Sequence, residues 1–313
     1  MPKRTLTDAE REQRRAAERA FVQQAVDALR TSDGWQRWLT TRRHFHTYSL
    51  RNQLLIALQN PDATRVAGFK AWLALGYCVR RGEKALRIFA PCPPSKAKLQ
   101  AWREGGADPR DKPRTFFRLT AVFDRSQVDE LPPPAEPAPL DPPTAAEIDG
   151  DELAPWLRPL MALAGDIGST VSFDTIASGA DGYYRPSTKA ITLEASHPAN
   201  RQVKTLIHEL AHALVRADLR DDDPQLDVAA EELVAETVAY SVCASSGIDP
   251  GDYSISYLAS WSEGAPSDTV ERTAALIDRL SRRIEAVVQD VDLAHATSRT
   301  ALCHSGPAAT SSA

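Results

Sequence analysis

Leu206-Ile207-His208-Glu209-Leu210-Ala211-His212 is the stretch that decides how this chain is read. Around it, Val203, Leu206, Ile207, Leu210, Leu214 and Val215 fall at i, i+3, i+4, i+7, i+11 and i+12, the apolar stripe of an amphipathic helix. Residues four apart on a helix share a face one turn apart, so His208 and His212 can grip one metal ion together. Both border the stripe, on the wall of a core. Glu209 then lies where it can take a proton from water held at the metal. A zinc ion in that place polarises a carbonyl and makes hydroxide near neutral pH. Two ordinary histidines on a core helix would give the same letters, so the rest of the chain has to supply what a catalytic metal requires.

Zinc in a catalytic site takes a third protein ligand and leaves one position for water. Downstream, Glu231-Glu232-Leu233-Val234-Ala235-Glu236-Thr237-Val238-Ala239-Tyr240 reads as a second helix, ending near Gly247 with Pro250 just beyond. Glu232 and Glu236 share one face of this otherwise apolar helix. Two carboxylates there are costly to bury unless a metal or a histidine compensates them. The reading assigns Glu232 as the third ligand and Glu236 as the partner that orients a ligating histidine. The reverse assignment fits the same spacing.

His-Glu-x-x-His followed by Glu-x-x-x-(Asp/Glu) resembles the gluzincin metallopeptidases. That resemblance implies a mixed sheet packed on the active-site helix, with an edge strand that holds the substrate peptide. Ile191-Thr192-Leu193 would be the edge strand, Tyr183-Tyr184 would lie on the strand before it, and Pro186-Ser187 would form the turn. Tyr183, Tyr184 and Tyr240 are candidates for an oxyanion stabiliser.

The chain has 313 residues and is 42% hydrophobic, enough for two domains with real cores. Cys78, Cys92, Cys243 and Cys303 are scattered without a Cys-x-x-Cys pair, which argues against a zinc ribbon or a disulfide framework. Met-Pro-Lys-Arg followed by further charge is no signal peptide, and no apolar run approaches a membrane span. The expectation is a cytoplasmic protein with no membrane partner. The net charge of −5 conceals an asymmetry. Residues 1–118 carry 24 Lys+Arg against 11 Asp+Glu, whereas residues 119–313 carry 13 against 31. Such a split points to a polyanion at the first half, or to nothing more than a solvated basic surface. Between the halves, Pro132, Pro133, Pro134, Pro137, Pro139, Pro142 and Pro143 form an extended, semi-rigid linker.

In the basic half, Thr7 with Glu10 forms a capping box that opens a helix running to about Leu29. Then Trp35, Trp38, Arg42, Arg43, Tyr48, Arg51 and Asn52 interleave aromatic and basic side chains. Bases stack on aromatic faces, and arginine both binds phosphate and stacks, a combination that suits single-stranded nucleic acid. Aromatic residues in a small domain are also ordinary core material. Leu54-Leu55-Ile56-Ala57-Leu58 reads as a core helix that stops before Pro61. Arg65, Lys70, Trp72, Arg80, Arg81 and Lys84 follow. Gly76 to Pro91 reads as two strands joined by a turn at Gly82, and Phe116 to Phe123 as a further strand.

Tyr48-Ser49-Leu50-Arg51-Asn52-Gln53-Leu54-Leu55-Ile56, Ala63-Thr64-Arg65-Val66-Ala67-Gly68-Phe69 and Arg81-Gly82-Glu83-Lys84 together resemble the N-terminal domain of the ArdC antirestriction family. Those domains bind single-stranded DNA and precede a zincin-like metallopeptidase domain with a downstream Glu-Glu-Leu-Val-Ala-Glu, matched here by Glu231 to Glu236. The long proline linker and the C-terminal part depart from that pattern.

After Gly251, Tyr257-Leu258-Ala259-Ser260-Trp261 is expected to pack on the metal-site domain. A last helix starts at Asp268 with Glu271 as its N3 residue, on a stripe of Val270, Ala274, Ile277, Leu280, Ile284 and Val287. The expectation is therefore an α+β protein of two domains. A single-stranded-DNA-binding domain spans 1–125, a linker 126–150, a gluzincin-like zinc metallopeptidase domain 151–292 and a disordered tail 293–313. The partners would be single-stranded DNA and a protein substrate that the sequence does not name.

Overall fold

The structure, a computed structural model, describes residues 7–108, 112–132, 150–248 and 265–303. Contacts divide the chain into two units, Met1–Asp141 and Pro142–Ala313. Each mixes helices with sheet, so the architecture is α+β.

The first unit contains helices α1 (Asp8–Ala28), α2 (Ser32–Phe45), α3 (Leu50–Gln59), α4 (Phe69–Ala74) and α5 (Lys96–Glu104). Its strands are β1 (Val66–Ala67), β2 (Tyr77–Val79), β3 (Leu86–Cys92), β4 (Phe116–Asp124) and β5 (Val128–Glu130). The Thr7 hydroxyl accepts from the Glu10 amide, and the Glu10 carboxylate accepts from the Thr7 amide, so the capping box closes as the spacing requires. β4 lies between β1 and β3, antiparallel to both. One core gathers Phe45, Ile56, Ala63, Val66, Leu86, Ile88 and Val122. A smaller one gathers Trp72, Tyr77 and Val128.

The strands on either side of Gly82 do not pair with each other. β2 pairs with β5, and β3 pairs with β4 over the full run from Leu86 opposite Val122 to Cys92 opposite Phe116. The seven-residue β3 finds a longer ladder on the nine-residue β4 than the three-residue β2 offers. The outer edge of β3 is closed by side chains of α3. The Asn52 amide donates to Phe89 O at 2.9 Å and accepts from Phe89 N at 2.8 Å. Gln59 does the same at Arg87, at 3.0 and 2.8 Å. These two amides stand in for a missing strand and leave the backbone groups of Phe89 and Arg87 paired.

The second unit contains α6 (Ala154–Asp166), β6 (Thr170–Asp174), β7 (Gly182–Arg185), β8 (Ala190–Glu194), α7 (Ala199–Ala217), α8 (Val228–Ser245) and α9 (Ser267–Cys303). The sheet order is β6-β8-β7, with β6 parallel and β7 antiparallel to β8. Ile191-Thr192-Leu193 is thus the central strand, and β7, which carries Tyr183 and Tyr184, is an edge. The alternation of apolar and polar residues in β8 imitates a half-exposed strand, yet Thr192 and Glu194 are buried along with Ile191 and Leu193. The Glu194 carboxylate makes this possible by accepting from Ile176 N, Ser196 N and Ser196 Oγ at 2.6, 3.0 and 2.8 Å.

α8 ends where the sequence indicates. Gly247 adopts φ 75°, Gly247 N donates to Ala244 O, and Ile248 N donates to Cys243 O, a Schellman closure that a residue with a Cβ forms only under strain. α9 buries Val270, Ala274, Ile277, Leu280 and Ile284, with Val288 rather than Val287 as the next fully buried valine. It begins at Ser267, one residue before Asp268, and continues to Cys303. Residues 293–303, read from sequence as part of a disordered tail, are therefore helical. Pro250 and Tyr257 to Trp261 lie outside the described residues. Among the described residues, no helix is long and apolar enough to cross a membrane.

Candidate metal centre and nucleic-acid interface

α7 is fixed from both sides. Leu206, Ile207, Leu210, Ala211 and Leu214 are fully buried along its stripe. Arg201 grips Asp181 with two hydrogen bonds, and the Gln202 amide donates to Glu194 O. His208 and His212 therefore stand at the border of a core, with ring centroids 5.0 Å apart.

α8 brings its first turn to them. The Asp227 side chain caps α8 by accepting from Ala230 N at 2.8 Å, which sets the direction in which the next residues point. Glu232 Oε1 lies 3.2 Å from His208 Nε2, and Glu232 Oε2 lies 3.2 Å from His212 Nε2. Donor atoms of His208, His212 and Glu232 all fall within 4.8 Å of one another. Ligands about 2.0–2.1 Å from a tetrahedral zinc would stand about 3.3 Å apart, so two imidazoles and one carboxylate in this arrangement fit such an ion. Burial, and then the neighbouring His212, hold His208 below the ordinary imidazole range, with Glu232 opposing. That favours the neutral ring, the ligating form.

Glu209 lies beside these donors, close enough to feel the charges of His212 and Glu232. It is buried, and its carboxylate accepts the backbone N–H of Tyr184 on the edge strand β7. Burial raises its carboxyl above the usual range. The charge of Glu232 adds to the rise, while His212 and the Tyr184 amide oppose it. Tyr184 thus reaches the site through its backbone. Tyr183 is exposed and carries the Arg185 guanidinium over its ring at 5.4 Å.

The carboxylate that meets a histidine from behind is Glu231, which sequence reasoning passed over. Glu231 Oε1 is 3.2 Å from His212 Nδ1, and Glu231 Oε2 accepts from Arg216 at 2.9 Å. Among the described residues Glu236 makes no hydrogen bond to either histidine. Burial first, and the charge of Glu232 second, raise its carboxyl, while Lys204 opposes. The reason is the antiparallel run of α7 and α8. A turn forward along α8, from Glu232 to Glu236, is a turn back along α7, from His208 to Lys204. The available signal was the pair His212 and Arg216, four apart on α7, which asks for one acid facing both.

The first unit redistributes its candidates. Trp35, Trp38 and Trp72 are fully buried, and Arg42 is buried with them. Trp38 Nε1 donates to Gln53 Oε1 at 3.0 Å, Trp72 Nε1 donates to Phe123 O at 2.8 Å, and Trp35 meets Trp38 edge to face at 5.3 Å. Asn52 is committed to the backbone of Phe89. These five side chains build the fold and leave no surface for DNA. Tyr48 is half-buried against Phe45. Arg43, Arg51, Arg65, Lys70, Arg81 and Lys84 are exposed, and Arg80 is exposed but paired with Glu83 and Asp129. Sequence reasoning missed Phe116 and Phe117, 61% and 62% exposed, beside the exposed Lys112, Arg114 and Arg118. Two adjacent aromatics inside a basic run were the visible signal.

Residues 164–275 match the family of zincin-like metallopeptidases. The second unit is therefore a zincin-like domain. Residues 16–123 match the N-terminal domain of anti-restriction factor ArdC, and with both matches in this order the chain is an ArdC-type two-domain protein. An uncharacterized Bacillus anthracis protein, pXO2-81, is 26% identical over 281 residues, covering 79% of this chain and 46% of its own length. The Escherichia coli DNA primase TraC is 28% identical over 248 residues, covering 72% of this chain and 16% of its own length. The chain thus spans under half of the one and about a sixth of the other. Crystal structures of the antirestriction ArdC protein from the R388 plasmid align with a TM-score of 0.45. The metal-free form is 21% identical and covers 77% of this chain and 85% of that one. The Mn(II)-bound form is 20% identical and covers 76% and 87%.

Proposed function

We propose that this protein is a single-stranded-DNA-binding zinc metallopeptidase of the antirestriction type. The observation that carries the peptidase half is one geometry: three convergent donors from two helices, with a buried glutamate beside them tied to an edge strand. His208, His212 and Glu232 would hold zinc, whose two imidazoles and carboxylate are the donor types that suit it. When bound, the ion supplies a Lewis acid for a peptide carbonyl and lowers the pKa of water toward 7.

The chain's own residues do the rest. Glu231, braced by Arg216, accepts from Nδ1–H of His212 and so leaves the Nε2 lone pair of that ring free for ligation. Glu209, with its carboxyl raised above the usual carboxylate range by burial, accepts a proton from the attacking water and returns it to the leaving amine. The open edge of β7 suits an extended peptide, which would add to the sheet as a further strand beside Tyr184 and Glu209. DNA binding rests on the excess of Lys and Arg in residues 1–118 and on the match of residues 16–123.

The test is Glu209→Gln in the full chain. Metal content by elemental analysis should stay at the wild-type level. Protection of incoming DNA from restriction in cells should be lost, as should at least a hundredfold of any peptide hydrolysis. Protection that survives intact in a metal-loaded Glu209→Gln protein would remove hydrolysis from the function and leave a DNA-binding protein. His208→Ala should lower metal content itself, and unchanged stoichiometry would end the ligand assignment.

A further inference from the structure

We propose that unpaired bases stack on the open face of the β3–β4 ribbon, on Phe117 and Phe89, with Arg51 and Arg87 taking the phosphates. This rests on the single-stranded-DNA reading above and gives it a site. The ribbon has two faces. One sends Leu86, Ile88 and Val122 into the core. The other sets Arg87, Phe89 and Pro91 opposite Ala121, Leu119 and Phe117. At one end of that second face Phe123 is packed on the Trp72 and Tyr77 cluster. Farther along, Arg87, Ala121 and Phe117 are exposed, and Phe89 and Leu119 are half-exposed.

Three features suit this face to single-stranded nucleic acid. First, it is pre-organised, because Asn52 and Gln59 pin the backbone of Phe89 and Arg87 from the side. Second, Phe117 is opposite Pro91, so Phe89 is its diagonal neighbour. Diagonal neighbours stand about 7–8 Å apart, roughly twice the 3.4 Å step of a stacked strand in a duplex. Two rings so spaced serve successive bases of an extended strand, and a duplex offers them no free base face. Third, the charge is complementary. Arg51 reaches across from α3 to lay its guanidinium 5.7 Å from the Phe89 ring centre, Arg87 projects from the same face, and neither strand adds a carboxylate there. Arginine held in this way offers both a phosphate contact and a stacking plane.

Phe116 provides an internal control, since it is as exposed as Phe117 and points to the opposite face. The experiment is fluorescence anisotropy of the full-length protein with a labelled oligo-dT, and with an abasic oligonucleotide of equal length, across a salt series. Phe117→Ala should weaken oligo-dT binding about tenfold or more, and Phe116→Ala less than about twofold. Wild type and Phe117→Ala should bind the abasic strand alike. Arg87→Ala should reduce the salt slope by about one unit. Equal losses for Phe116→Ala and Phe117→Ala, or no loss for Phe117→Ala, would overturn this face while the single-stranded-DNA reading stands. No wild-type binding at low salt would overturn that reading and the face with it.

Discussion

Glu231 and Glu232 are neighbours in sequence, yet the turn of about 100° per residue in a helix sends them to opposite nitrogens of one ring. Glu232 reaches His212 Nε2 and Glu231 reaches Nδ1, both at 3.2 Å. A ring held on its far nitrogen keeps its tautomer and orientation, and loss of such support commonly costs 10–100-fold in metal affinity. Glu231→Gln should therefore weaken zinc binding by about tenfold or more, read by competition with a chromophoric chelator. Glu236→Gln, whose carboxylate looks toward Lys204, should change it less than about twofold if it acts only through the local field. A larger loss for Glu236→Gln than for Glu231→Gln would return the orienting role to Glu236. Spacing alone could not separate these two glutamates, because both lie on the α7 side of α8. What separates them is Arg216, which belongs to the other helix.

At the scale of elements, the site depends on how closely β7 approaches α7. A Cβ on Gly182 would meet Thr205 Cγ2 at 2.6 Å and Thr192 O at 2.9 Å. Gly182→Ala should push the edge strand outward and carry the Tyr184 amide away from Glu209. The expected outcome is about 1–3 kcal/mol lost in urea unfolding, with hydrolysis reduced and zinc stoichiometry kept. Full activity in that variant would show that β7 does not position Glu209. The same end of the sheet, one residue beyond Leu193 opposite Gly182, makes a pH prediction. Three hydrogen bonds hold the Glu194 carboxyl down to about 2, against an ordinary 4.5. A lowered carboxylate stabilises the fold above the ordinary value, and that contribution is lost as pH falls from about 4.5 toward 2. Glu194→Gln should flatten the stability profile in that window, and an unchanged profile would refute the assignment. These elements also mark what the sequence could disclose. α7 and its His-Glu-x-x-His spacing are legible, because helical periodicity and motif spacing are local. The edge strand was misplaced because β6, paired with β8 from Thr170 opposite Ala190 onward, makes a strand central through a non-local contact. Trp35, Trp38 and Trp72 read as DNA contacts in the sequence because letters record aromatic character but not burial.

At the scale of the whole molecule, contacts separate Met1–Asp141 from Pro142–Ala313, and charge separates along nearly the same line. The phosphate backbone rewards only the basic part, since the excess of acids in residues 119–313 repels it. Each ligand should then stabilise its own unit alone. A ligand that binds only the folded form adds stability by mass action, roughly 2.7 kcal/mol at a hundredfold excess over its Kd. Differential scanning calorimetry of the full chain should resolve two transitions. Chelation of the metal should lower the transition of the unit carrying His208, His212 and Glu232 and leave the other in place. Saturating oligo-dT at low salt should raise the other, and raised salt should cancel that gain. His208→Ala should abolish the response to chelator without touching the response to DNA. A single transition that moves with both ligands would show instead that the two units unfold together, so that DNA held by one adds directly to the stability of the metal site in the other.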